Sequence, residues 1–146
     1  MSAAKTIQVS GVDPYEILIG RALLAEVPAS LGPQVSKVLI VHPVALTASA
    51  ELLRETLIAA GVDAILAGVP DSEDAKRVEV AAFCWGVLGQ ADFTRSDAVI
   101  GFGGGSSMDT AKLVALLART PQALPDIYGV GLAKGPRLPL IQVPTT

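Results

Sequence analysis

Residues 101–117 read GFGGGSSMDTAKLVALL, and they gather most of the chemistry this chain can offer. Three glycines, Gly103, Gly104 and Gly105, stand between an apolar run and an amphipathic one. Residues without a Cβ reach positive φ and let a ligand come against the main chain. A helix opening directly behind them carries unpaired N–H groups and the positive end of its dipole. That combination binds anions, a phosphate most naturally, and Ser106 and Ser107 add hydroxyl donors. Asp109 cuts across a simple phosphate reading, because a carboxylate repels a pyrophosphate. Two roles stand level on spacing alone: accepting hydrogen bonds from ribose or substrate hydroxyls, or stabilising the helix N-terminus. The turn is not a P-loop, since G-x-x-x-x-G-K-[ST] is absent, and Met108 breaks the dinucleotide pattern G-x-G-x-x-G.

Other residues that can do chemistry read more plainly as structure. His42, the one histidine, is the only side chain whose ordinary pKa lies near neutrality; the spacing puts it at a strand end as a solvated side chain. Cys84, the one cysteine, lies beside Trp85 in an apolar helix and reads as a packing residue, with Trp85 in the core. Asp109 and Lys112 are three apart and form a helix-surface pair. Glu73 and Lys76 read as a solvated first turn.

The elements that must position the glycines follow from periodicity. TIQVS (6–10) and YEILIG (15–20) are short strands, and 21–31 is a short helix that Pro28 ends or kinks. KVLIV (37–41), DAILAG (63–68) and DAVIGF (97–102) are continuous apolar runs, the pattern of strands buried on both faces. Leu46, Ala50, Leu53 and Leu57 recur on one helical face, with Gly61 as a C-terminal cap. Asp71 or Ser72 caps the next helix, whose inner face is Val78, Ala81, Ala82, Trp85 and Leu88. A helix over about 106–119 follows the glycines, 120–136 is a loop rich in proline and glycine, and RLPLIQVP (137–144) is the last strand. Alternating strands and helices imply an α/β, Rossmann-like three-layer domain: a mostly parallel sheet with helices on both faces, residues 1–146 forming one unit. Ligands in such folds bind outside the carboxyl ends of the strands, where the glycines fall.

Composition agrees. Hydrophobic residues make up 51% and charged residues 17%, which supports a packed core. The net charge of −3, without a basic stripe, argues against nucleic acid, and one cysteine excludes an intramolecular disulfide. The N-terminus lacks an apolar h-region and no run approaches a membrane span, so a soluble cytoplasmic protein is expected. A receiver-type signalling domain needs clustered aspartates at strand ends that here carry His42, Gly68 and Phe102, and no residue argues for FMN.

GGGSSMDTAK, Gly103 to Lys112, resembles the G-G-G-S-x-x-D-x-A-K motif of group III, iron-dependent alcohol dehydrogenases, and RLPLIQVPTT resembles the strand and P-T-T turn of that family. YEILIGRALLAEVPASLG, VPDSEDAKRVEVAAFCWGVLG and FTRSDAVIGFGGG are similar instead to the sister family of dehydroquinate synthases, actinobacterial ones in particular. The resemblance changes partner near residues 97–103; natural divergence would do that, and an engineered chimera joined at the shared strand and glycine turn would do it more simply. Where dehydroquinate synthases carry a small apolar residue and D-x-A-G, this chain has Ser106 and Lys112.

The resemblance implies a Rossmann-like domain that holds NAD, with a helical metal-binding domain following it in both families. Gly103, Gly104, Gly105 and Ser106 would then meet the cofactor pyrophosphate, Asp109 the nicotinamide ribose or the substrate, and Thr145 and Thr146 the cofactor at the end of the last strand. Glu73 and Lys76 match a segment over the adenosine side. His42 stands where both families often carry an aspartate for the adenosine ribose, which leaves NAD and NADP both open. The families' metal ligands come after P-T-T, where this chain ends, so the expectation is a dinucleotide-binding segment without metal, not catalytically complete alone. The surface facing the helical domain would be left to pair two copies. The alternative expectation is a folded α/β scaffold without activity that self-associates.

Overall fold

The computed structural model describes residues 4–70, 78–118, 124–127, 129–133 and 136–145. Four strands form one parallel sheet in the order β4-β3-β5-β6: β3 is Lys37–Pro43, β4 Asp63–Val69, β5 Ala98–Gly103 and β6 Leu140–Pro144. Every register is parallel, for example Val41↔Ala67, Val41↔Gly101 and Gly101↔Gln142. Two shorter strands, β1 (Lys5–Val9) and β2 (Tyr15–Ile19), make a separate antiparallel hairpin.

The central strand explains why its sequence is apolar without a break. Successive side chains point to opposite faces, so a strand covered on both sides needs apolar residues at every position. Leu39 and Val41 pack into the layer made by α3 (Val78–Gln90) and α4 (Gly105–Leu117). Val38 and Ile40 pack into the opposite layer, with α1 (Val27–Ser30) and α2 (Thr47–Ala59). Helices therefore cover both faces, as the alternation of elements implies.

In α2, Ala50, Leu53 and Leu57 are fully buried, as their spacing predicts. The helix stops at Gly61, whose φ of 86° only glycine adopts without strain. The Val62 amide donates to the Leu57 carbonyl and the Gly61 amide to that of Ile58, each at 3.0 Å, the paired bonds of a Schellman cap.

Three expectations are corrected. Pro28 lies in the first turn of α1, where its missing N–H costs nothing, so it starts a helix and does not end one. On α3, Val78 and Ala82 are exposed; the buried face is Ala81, Cys84 and Leu88, with Trp85 half-buried. His42 is 2% exposed and is no solvated side chain; strand alternation turns it into the protein, its ring beside Gly68. The proposed caps Asp71 and Ser72, with Glu73, Lys76 and Thr146, lie outside the described residues. Among the described residues, no helix is long and apolar enough to cross a membrane.

Candidate functional site

The helix after β3, α2, leads outward to β4 on one face of the sheet; the helix after β5, α4, leads to β6 on the other. The loops leaving β3 and β5 thus part in opposite directions, and the crevice between their carboxyl ends is where open parallel sheets hold ligands. Gly103 ends β5 on that rim, and Gly104 and Gly105 carry the chain into α4.

Gly103 has a φ of 145°, and an added Cβ would stand 2.8 Å from Cδ of Pro43 and 3.0 Å from Oγ of Ser107. Only a residue without a side chain lets β5 end this close to β3 and lets the helix begin at once. Gly104, extended and half-exposed, is the residue that caps α4, and no side chain takes the cap's place. The first intrahelical bond runs from the Met108 amide to the Gly104 carbonyl at 3.1 Å. The amides of Gly105, Ser106 and Ser107 precede it and stay outside the helix's own bonding. A Cβ on Gly105 would meet nothing within 4 Å, so the space beside that residue is open, while Ser107 is buried behind it.

The carbonyls of the same turn are committed elsewhere. Gly103 accepts from the Thr145 amide at 3.0 Å, Ser106 from the Thr110 hydroxyl at 2.9 Å, and Met108 from the Gln142 side-chain amide at 2.9 Å. A turn with occupied acceptors and open donors attracts negative charge, and the dipole of α4 adds to it.

Of the residues singled out from sequence, Gly103, Gly104, Gly105, Ser106 and Thr145 gather on this rim. Ser107 is buried against Gly103. Asp109 points along the exposed flank of α4, where Lys112 Nζ stands 3.6 Å from its carboxylate. His42, one residue before the end of β3, has Nδ1 2.9 Å from the Pro43 carbonyl oxygen. Cys84 is buried, and burial pushes its thiol up to about 11, which keeps it an unreactive packing group. The Trp85 indole donates to the Val114 carbonyl at 3.2 Å, holding the ring between α3 and α4. Two contributors escape a reading of the sequence: Pro43, which packs on Gly103, and Gln142, which holds Met108. The one signal for Gln142 is a polar residue inside the apolar run LIQVP. Among the described residues, no group of three or more His, Cys, Asp or Glu could hold a metal ion.

Known proteins resemble the chain in sequence and fold. A 3-dehydroquinate synthase from Leifsonia xyli subsp. xyli is 53% identical over 109 residues, 75% of this chain and 30% of that protein. One from Arthrobacter sp. (strain FB24) is 47% identical over 117 residues, 78% of this chain and 32% of that protein. The chain thus spans about a third of the length of the curated relatives it matches. A solved structure of 2-deoxy-scyllo-inosose synthase, complexed with carbaglucose-6-phosphate, NAD+ and Co2+, superimposes with a TM-score of 0.75 at 16% identity. That likeness covers 97% of this chain and 35% of the other, and it bears on the fold alone. The model of the family described as iron-containing alcohol dehydrogenase matches residues 14–146, on both sides of the glycine turn. With nearly its whole length inside that match, the chain belongs to the iron-containing alcohol dehydrogenase family.

Proposed function

We propose that this chain is the dinucleotide-holding segment of an enzyme related to the 3-dehydroquinate synthases and iron-containing alcohol dehydrogenases. One observation carries the reading: a side-chain-free turn at the sheet's switch point offers amide donors with the matching carbonyls already bonded. The diphosphate of NAD would lie against Gly103, Gly104, Gly105 and Ser106, with Thr145 and Thr146 at the end of β6 beside it. Asp109 would serve a ribose or substrate hydroxyl, and Glu73 and Lys76 the adenosine side, with His42 buried behind it at the end of β3. When bound, NAD would supply hydride chemistry; this chain's own part would be to hold and orient it. The described residues do not fit a metal, so no metal-dependent step is assigned to them.

Calorimetric titration of the chain with NAD and with NADP tests the reading. Binding with NMR shifts at the 104–107 amides is expected, and Gly104→Val should abolish it because a branched side chain blocks main-chain approach. A folded chain showing no binding at millimolar NAD would count against the proposal. NADP binding as tightly as NAD would fit the missing carboxylate at residue 42.

A further inference from the structure

Gln142 is a polar residue in a strand otherwise made of Leu, Ile, Val and Pro. In the β5–β6 register it stands opposite Gly101, and its side chain lies across that glycine. A Cβ at residue 101 would overlap the Gln142 Oε1 atom and come within 2.9 Å of Cβ of Ala111. The Gln142 Nε2 donates to the Met108 carbonyl at 2.9 Å, while Oε1 is shut from solvent without a hydrogen-bond partner.

Stability does not account for this choice of residue. One neutral hydrogen bond contributes little net, and an orphaned buried acceptor costs a comparable amount. The two roughly cancel, so an apolar side chain of the same length would hold the fold as well. What the amide does provide is a fixed tie between β6 and the end of α4's first turn. That turn contains the Gly105, Ser106 and Ser107 amides.

We infer that Gln142, seated in the gap left by Gly101, is a positioning residue that fixes the anion-binding turn of α4 against the sheet. The inference rests on the dinucleotide reading above and names a residue that tunes that site. The tie acts on the Met108 carbonyl; with that oxygen anchored to β6, the turn's amides keep one direction. The Met108 and Thr145 main-chain bonds and the Thr110 hydroxyl hold the same turn from the helix and strand backbone, and Gln142 adds a side-chain tie to them.

Gln142→Met in the full 146-residue chain separates the possibilities, with three readouts: melting temperature, NAD affinity by calorimetry, and amide hydrogen exchange by NMR. The melting temperature should stay unchanged or rise, NAD affinity should fall about fivefold, and exchange at Met108–Lys112 should quicken selectively. A merely structural role would lower the melting temperature and leave the affinity of the folded protein alone. Wild-type affinity and wild-type exchange in the variant would overturn the inference. If the wild-type chain itself does not bind NAD, the dinucleotide reading fails. Exchange in the ligand-free protein then decides: selective quickening upholds the tie, and no change removes it. Gly101→Ala gives a second route, displacing the amide while keeping it; full retention of NAD affinity there would also count against the inference.

Discussion

At the amino end of the sheet, loose main-chain amides meet a carboxylate; at the carboxyl end they meet open space. Asp97, just before β5, is 1% exposed and accepts the Ser36 and Lys37 amides at 3.2 and 3.0 Å and the Thr94 amide at 2.9 Å. The Ser36 and Thr94 hydroxyls donate to it as well. Burial alone would raise this carboxyl, but the hydrogen bonds from Thr94, Lys37 and Ser36 outweigh it and hold it below the usual carboxylate range. Across the sheet, the Gly103, Ser106 and Met108 carbonyls are bonded, while the Gly105, Ser106 and Ser107 amides open α4 outside its own bonding. One rim is finished from within; the other is left for a ligand to finish. Stability and binding are therefore written at opposite ends of the same strands, and substitutions should separate them.

The largest effect is expected at the amino end. Asp97→Ala strands several buried donors and should cost about 3 kcal/mol in chemical denaturation; a loss near zero would break the contrast. The same carboxylate gives a pH signature. Its pKa is lower in the folded chain, so its contribution is complete above about pH 4 and is lost as pH falls through the folded value. Asp97→Asn should remove that part of the acid sensitivity, read from urea midpoints between about pH 2 and 6.

Gly103→Ala comes next, since φ of 145° and the Pro43 contact strain any side chain; about 2 kcal/mol of stability should go, seen as a lower melting temperature. Gly105→Ala sharpens the comparison most: its Cβ meets no atom within 4 Å, so the melt should hold or rise while NAD affinity falls about tenfold. Loss of stability without loss of affinity would reverse the assignment. Smallest is Lys112→Ala, which removes an exposed pair with Asp109 and should cost no more than about 0.5 kcal/mol, within the error of most melts.

Much of this contrast is legible in the residues, and unevenly so. Strands β3, β4 and β5 announce themselves because burial on both faces demands unbroken apolar runs, and the glycine turn follows the last of them. The face of α2 is legible because Glu51, Arg54 and Glu55 mark its outer side. The inner face of α3 is not: VEVAAFCWGVLG is apolar nearly all round, so spacing gives the period without the phase. His42 misleads because its type suggests water while its place in the alternation buries it. Pro43 and Gln142 come from strands distant in sequence, and only the order β4-β3-β5-β6 brings them to the turn. Asp97 looks like any turn aspartate until Ser36 and Lys37 arrive from 60 residues away.

The β1–β2 hairpin pairs with no other strand among the described residues, and Ile7, Tyr15, Ile17 and Ile19 are all exposed on it. Two strands alone are marginal in water. Both apolar layers of the main sheet draw their residues from Leu24 onward. A protease that nicks the tip at Gly11–Asp13 should therefore trim the front of the chain and leave a digestion-resistant remainder that still melts cooperatively, which makes this hairpin the natural place to attach a label or a graft.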